Sequence, residues 1–118
     1  MSENVVAGYY AAMRVGADAE EQMMALFTHD AVYDEPFSGL DEPAVGHEAI
    51  RQRLRSGWET PLPDMELDVL RMTVDGVGAH CTWECRSPVF PAPVQGEDRY
   101  EFREGLISRL EVKITTTL

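Results

Sequence analysis

The sequence is poor in the features that mark several large classes of protein. No run approaches about 18 consecutive apolar residues, so we expect no transmembrane helix. Lys and Arg total 10 against 21 Asp and Glu, for a formal net charge of −11. An acidic surface repels phosphate, so binding to nucleic acid or to an anionic membrane is not expected. The N-terminus lacks a basic and an apolar segment, which predicts no secretory signal and a cytoplasmic protein.

Cysteine and metal-ligand patterns are also scarce. Cys81 and Cys85 lie four positions apart in a predicted strand, which puts their Cα atoms about 13 Å apart, too far for a disulfide. No second ligand pair accompanies them, and His29, His47 and His80 are scattered, so no metal is expected. No glycine-rich phosphate-binding motif is present, so the sequence implies no cofactor.

The composition present is that of a globular domain. The 118 residues are 44% hydrophobic and 26% charged, which is enough apolar material for one core. We therefore expect a single domain over residues 1–118.

The first third of the chain has the spacing of amphipathic helices. Apolar residues recur every three or four positions from Val5 to Met13, and Gly16 is expected to end that helix. A second helix is predicted over 19–27 and a third over about 47–56. The outward face of the third helix would carry Arg51, Arg53 and Arg55.

The remaining segments alternate between apolar and polar residues. A short strand is predicted over 31–35, with Tyr33 and Glu35 facing inward, and it ends at Pro36. From about Pro61 a long antiparallel meander follows, with turns at 75–76 and 104–105. Ile107 is predicted to face outward. The residues predicted to share the apolar faces of these strands are Cys81, Trp83, Cys85, Asp98, Tyr100, Phe102, Ser108, Leu110, Val112 and Ile114.

Helices followed by strands predict an α+β fold, with the helices packed on one face of the sheet. Three helices on a strongly curved antiparallel sheet form a cone with one open end. Such a cone encloses a pocket if inward side chains do not fill it.

Two stretches resemble the NTF2-like superfamily. Residues 25–37, ALFTHDAVYDEPF, and 46–50, GHEAI, resemble its helix–strand–helix signature, and residues 98–107, DRYEFREGLI, resemble its closing hairpin. Within the superfamily the chain is similar to ketosteroid isomerase and to SnoaL-like polyketide cyclases. The superfamily also includes binding domains, so the resemblance implies the fold more strongly than the reaction.

The resemblance to ketosteroid isomerase implies three catalytic positions. That enzyme has a tyrosine on its first helix, a carboxylate before a proline, and a protonated aspartic acid on a late strand. The matching residues are Tyr9, Glu35 and Asp98, so Glu35 would be the base, while Tyr9 and Asp98 would hold the enolate oxygen. The isomerase has Asp where this chain has Glu35, with Asp34 just before it.

The residues themselves leave alternatives open. Asp98 is predicted to lie on the same face of its strand as Tyr100, and a buried carboxyl group tends to keep its proton. Alternatively, Asp98 could lie at the start of a strand with its side chain in solvent. Glu35 could be a base at a pocket rim or a solvated loop acid. Tyr9 could donate to an oxyanion or belong to the core, and Tyr10 replaces it if the helix is rotated.

These residues predict a cofactor-independent enzyme that moves a proton next to a carbonyl group, of the isomerase or cyclase kind. The alternative is a non-catalytic domain that binds a hydrophobic metabolite or mediates dimerisation. The partners expected are a small apolar or aromatic molecule and a second copy of the chain, which would pair through an outer sheet face that includes Thr82 and Ile107. The residues predicted to line the substrate site are Phe37, Trp58, Met65, Trp83 and Tyr100.

Overall fold

The computed structural model describes residues 2–116, which form three helices and one six-stranded sheet. A 3-10 turn at Ala17–Ala19 leads into the second helix. The elements are α1 (Ser2–Val15), α2 (Glu20–Met24), β1 (Phe27–Asp34), β2 (Ala44–Val45), α3 (His47–Trp58), β3 (Glu66–Val74), β4 (Gly78–Arg86), β5 (Val94–Arg103) and β6 (Leu106–Ile114).

The strands are ordered β2-β1-β6-β5-β4-β3. Strands β3 to β6 form the predicted antiparallel meander. The α+β class is confirmed, but the sheet is mixed, because β1 pairs with β6 in parallel. Parallel neighbours need a long crossover connection, and here most of the chain supplies it.

The helices bury their apolar faces against the sheet. Val6, Tyr9, Tyr10 and Ala12 of α1 are buried, as their spacing predicts. Gly16 ends α1 with a φ of 90°, a conformation that favours glycine, and its N–H donates to the carbonyl of Ala12. Within residues 2–116 no helix is long and apolar enough to cross a membrane.

Several element boundaries differ from those predicted. Strand β1 begins at Phe27, four residues before its predicted start at 31, and β5 begins at Val94, so Asp98 does not lie at a strand start. Helix α2 ends at Met24, and Phe27 begins β1 instead of continuing the helix, because it pairs with Ile107 of β6. The N–H of Ile107 donates to the carbonyl of Leu26, so strand pairing overrides the helical spacing. Helix α3 runs two residues beyond Ser56, through Gly57 to Trp58.

A bulge in β6 explains why the predicted orientation of Ile107 is wrong. Between the pairs Glu101–Arg109 and Phe102–Ile107, Ser108 has no partner, so it is an extra residue in β6. A bulge shifts the inward–outward alternation by one residue. Ile107 therefore lies in the core at 0% exposure, and its predicted outward position is wrong. Any outer face used for assembly cannot include it.

The buried position of Ile107 predicts a large stability cost for truncation. Ile107→Ala should lower the free energy of unfolding by about 2–5 kcal/mol, because it leaves a cavity in a packed core. Val77→Ala, at an apolar side chain that is 75% exposed, is the control and should change it by under about 0.5 kcal/mol. Urea unfolding measures both, and similar small losses would contradict the bulged register.

Candidate active site

The more deeply buried of two interior carboxyl groups lies on the inward face of β5. Asp98 is on β5 opposite Cys81 of β4, and only 2% of its surface is exposed. Its Oδ2 accepts hydrogen bonds from the hydroxyls of Tyr10, at 2.5 Å, and Tyr100, at 3.4 Å. Its Oδ1 accepts one from the indole N–H of Trp83 at 2.9 Å. The inward orientation predicted from strand parity is confirmed, and its catalytic role stays a prediction.

The surroundings of Asp98 bring its protonation equilibrium close to neutral pH. Burial raises the pKa of Asp98 to about 6, because loss of water disfavours the charged form. The hydrogen bonds from Tyr10, Trp83 and Tyr100 oppose this rise, since all three donate to the carboxylate. At pH 7 a carboxyl group with a pKa of about 6 is about nine-tenths ionised. The predicted neutral acid is therefore the minor form at that pH.

All four tyrosines of the chain surround this carboxyl group. Each is at most 3% exposed. The rings of Tyr9, Tyr10 and Tyr100 meet edge to face, with centroids 5.3 to 6.5 Å apart. Burial raises the pKa of all four tyrosine hydroxyls above the ordinary value of 10, so each stays protonated at neutral pH and can donate.

The structure distinguishes Tyr9 from Tyr10. Tyr10, which sequence reasoning held as the substitute, donates directly to Asp98. The hydroxyl of Tyr9 instead lies 3.4 Å from that of Tyr33. The negative charges of Glu35 and Asp98 add to burial in raising the pKa of Tyr33. Sequence reasoning placed Tyr33 inward but gave it no role.

Glu35 is buried, and both of its carboxylate oxygens accept hydrogen bonds. It is 6% exposed, while Asp34 is half-buried, as the predicted strand register requires. Its Oε1 accepts from Ser38 Oγ at 2.6 Å and from Arg53 at 2.9 Å, and its Oε2 accepts from the N–H of Ser38 at 2.9 Å. Arg53 also donates to the carbonyl of Glu42, so it holds both ends of the loop between β1 and β2.

Arg53 corrects an expectation from the sequence. It was predicted on the outward face of α3, yet its side chain is only 13% exposed because it reaches Glu35. The outward prediction does describe its neighbours Arg51 and Arg55, which bind Glu20 of α2. No pattern within α3 distinguishes the three arginines, since their partners come from distant parts of the chain.

The predicted substrate-binding residues fall into two groups. Trp83 and Tyr100 contact Asp98, and the ring of Phe37 lies 6.4 Å from that of Trp83. Phe37 is 56% exposed, so it marks the solvent side of this cluster. Trp58 lies beside Gly16, and Met65 packs half-buried at the edge of the core.

Two open hollows lie on the surface of the described residues. One, of about 470 Å³, is bordered by Arg86, Phe90 and neighbouring residues. The other, of about 540 Å³, is bordered by His80, Arg99 and Tyr100, of which Tyr100 is one of the predicted substrate-binding residues. Neither is bordered by Tyr9, Glu35 or Asp98.

Thiol chemistry requires a thiolate, and metal binding requires several ligands close together. Burial raises the pKa of the Cys81 thiol to about 11, which disfavours the nucleophilic thiolate. Within residues 2–116 no group of three or more His, Cys, Asp or Glu side chains is arranged to hold a metal ion.

Comparisons with known proteins agree with this architecture. Residues 6–110 match the family model of the SnoaL-like domain. A proposed ketosteroid isomerase from Kribbella flavida superposes with a TM-score of 0.76 at 21% identity, covering 99% of this chain and 79% of that one. A proposed polyketide cyclase from Sinorhizobium meliloti gives 0.71 at 21% identity, covering 96% and 99%.

An NTF2-like protein of unknown function from Cytophaga hutchinsonii gives a TM-score of 0.72 at 11% identity, covering 98% of this chain and 90% of that one. No curated protein matches the sequence. These TM-scores support a shared fold. Together with the family match, they confirm the predicted resemblance to the NTF2-like superfamily.

The buried carboxyl group predicts a specific pH dependence of stability. The folded pKa of Asp98, about 6, lies above its ordinary value of 3.8, so folding is weakened as pH rises between these values. The loss attributable to Asp98 is about 3 kcal/mol. Asp98→Asn should remove it, so the free energy of unfolding of the variant relative to wild type should rise from about pH 4 to about pH 7.

Denaturant unfolding at several pH values measures this difference. Glu101→Gln, at an exposed residue of the same strand, is the matched control and should leave the pH dependence unchanged. A constant difference between Asp98→Asn and wild type, or one of opposite sign, would contradict the raised pKa.

Proposed function

We propose that this chain, which belongs to the SnoaL-like domain family, is a cofactor-independent enzyme that moves a proton next to a carbonyl group of a small apolar or aromatic molecule. The proposal rests chiefly on one observation, a nearly fully buried carboxyl group whose pKa is raised to about 6. A group with a pKa near the working pH can accept and return a proton efficiently.

Asp98 is proposed as the group that exchanges the proton. In its ionised form it removes a proton from the carbon beside the carbonyl, which leaves an enolate. When the substrate carries a C=C bond next to that carbon, the enolate is conjugated with it, and Asp98 returns the proton to the far carbon of the double bond, which completes an isomerisation without a further reactant. Cyclisation would begin with the same step, and the enolate carbon would then attack a second carbonyl group.

Tyr9 and Tyr10 are proposed as donors to the enolate oxygen. Their hydroxyls stay protonated because burial raises the pKa of both above 10. Preorganised donors in a site with little water stabilise a developing negative charge strongly. Tyr10 already donates to Asp98 at 2.5 Å, whereas the hydroxyl of Tyr9 has a longer hydrogen bond of 3.4 Å to that of Tyr33, so Tyr9 is the freer of the two to donate.

Glu35 remains a candidate for the base, as the resemblance to ketosteroid isomerase implies. Its three hydrogen bonds to Ser38 and Arg53 favour a second role, which is to hold the loop that carries Phe37. A substrate would then reach Asp98 past Phe37 and Trp83. We also propose a cytoplasmic homodimer that pairs through the outer sheet face at Thr82, without Ile107.

Exchange of α protons with solvent tests the proposal. The probe is 2-tetralone, a flat ketone, in deuterated water, and proton NMR follows the loss of its α-CH signal. The wild type should accelerate this loss, and kcat/KM should rise to a plateau as pH increases through about 6, because the ionised carboxylate is the base. Asp98→Asn should lower the rate at least about 100-fold.

Glu35→Gln decides between the two carboxylates, and Glu101→Gln is the control for a change of charge on β5. If Glu35 is the base, Glu35→Gln abolishes exchange and Asp98→Asn retains it. No exchange by the wild type with a panel of flat ketones that bind would contradict the enzymatic proposal.

A second candidate is a binding domain without catalysis. It is favoured by the saturated hydrogen bonding of Glu35 and by the hollows, which do not border the three predicted catalytic residues. In that case flat apolar molecules would raise the melting temperature while no α proton exchanged.

A further inference from the structure

Trp83 packs against Gly96 of the neighbouring strand, at a position where only glycine fits. Trp83 of β4 and Gly96 of β5 are direct cross-strand partners. A Cβ atom on residue 96 would lie 2.1 Å from the indole Cζ2 and 2.6 Å from the carbonyl oxygen of Lys113. Real atoms do not approach so closely, so the indole ring occupies the space that any side chain would fill. Glycine within a strand marks such close approaches.

The indole ring placed over Gly96 directs its N–H at one oxygen of Asp98. Trp83 donates to Oδ1, while Tyr10 and Tyr100 both donate to Oδ2. The two carboxyl oxygens are thus held from the neighbouring strand β4, from β5 itself and from α1, which fixes the rotation of the group. The exposed ring of Phe37 lies on the solvent side of Trp83.

We propose that Trp83, held in place by Gly96, is a positioning residue that orients the Asp98 carboxyl group and stabilises its ionised form. The importance of Trp83 for catalysis rests on the proposed function, but its effect on the protonation of Asp98 can be measured without turnover. A donor that favours the carboxylate shifts the protonation equilibrium of Asp98 whether or not a substrate is known.

Other groups near Asp98 must be considered for any effect of pH. They come from α1, β1, β4 and β5, and they are Tyr9, Tyr10, Tyr33, His80, Cys81 and Tyr100. Burial keeps the tyrosines and Cys81 neutral near pH 6, whereas the positive charge of a protonated His80 would lower the pKa of Asp98. The test therefore includes His80→Gln as a background.

The experiment is a carbon NMR titration of the Asp98 carboxyl group. Trp83→Phe keeps an aromatic ring but removes the N–H, so the pKa of Asp98 should rise by about one unit. Benzothienylalanine at position 83, which replaces the N–H by sulfur with little change of shape, should give the same rise. Gly96→Ala should also raise it, because the added methyl group displaces the indole ring.

The double variant distinguishes a shared mechanism from two separate effects. If Gly96 acts through Trp83, then Trp83→Phe with Gly96→Ala should raise the pKa no further than Trp83→Phe alone. The controls are Trp58→Phe, the other tryptophan, and Gly57→Ala, a glycine with open space around it; both should leave the pKa unchanged. The shift on Trp83→Phe should persist in the His80→Gln background.

An unchanged or lowered pKa in Trp83→Phe and in the benzothienylalanine protein would overturn the inference. Additive shifts from Trp83→Phe and Gly96→Ala would overturn the role of Gly96. If Gly96→Ala does not fold, the isosteric replacement at position 83 decides alone. Absence of proton exchange with every ketone, with the pKa shifts as predicted, would overturn the proposed function and leave the positioning role of Trp83 intact.

Discussion

The need to satisfy one buried carboxyl group organises the interior of this fold. An ionised carboxylate out of water is costly unless donors surround it. Asp98 meets that requirement with two hydroxyls and an indole N–H that come from α1, β4 and β5. The hydrogen bond from Tyr10 also links α1 to the sheet, so the position of the helix and the state of the carboxyl group depend on each other.

Two carboxylates in the same interior are stabilised in different ways. Glu35 has an arginine as a partner and lies beside a loop, whereas Asp98 has only neutral donors and lies against aromatic rings. A charged partner compensates burial more fully than neutral donors do. Asp98 has no cation among its hydrogen-bond donors, and burial raises its pKa to about 6, which suits it to exchange a proton.

Strand and helix periodicity predicted most of the inward orientations of side chains, because orientation follows the local alternation of residues. The inward orientations of Trp83, Asp98 and Tyr100 follow from a period of two that no bulge interrupts. Ile107 was misplaced because the extra residue Ser108 reverses the alternation, and nothing in the local sequence announces that bulge. Adjacent tyrosines on one turn of α1 were both predicted as candidates, since helix rotation, which tertiary contacts set, decides which of them meets Asp98.

Longer-range partnerships could not be predicted from spacing. Arg53 resembles its neighbours in the sequence, and only the folded loop shows that it binds Glu35. Gly96 did carry a signal, because a glycine in the middle of a strand weakens pairing unless another group needs the space. That signal became interpretable only when the register placed Trp83 opposite it.

We expect Asp98 to gain and lose its proton near neutral pH, because burial raises its pKa to about 6. Infrared difference spectroscopy between about pH 5 and about pH 7 tests it most directly, because a protonated carboxyl group has a C=O band that the carboxylate lacks. With a pKa of about 6, Asp98 should give a band that disappears with a midpoint of about pH 6 and is absent in Asp98→Asn. A wild-type spectrum without that band at about pH 5, or one in which it persists at about pH 8, would contradict it.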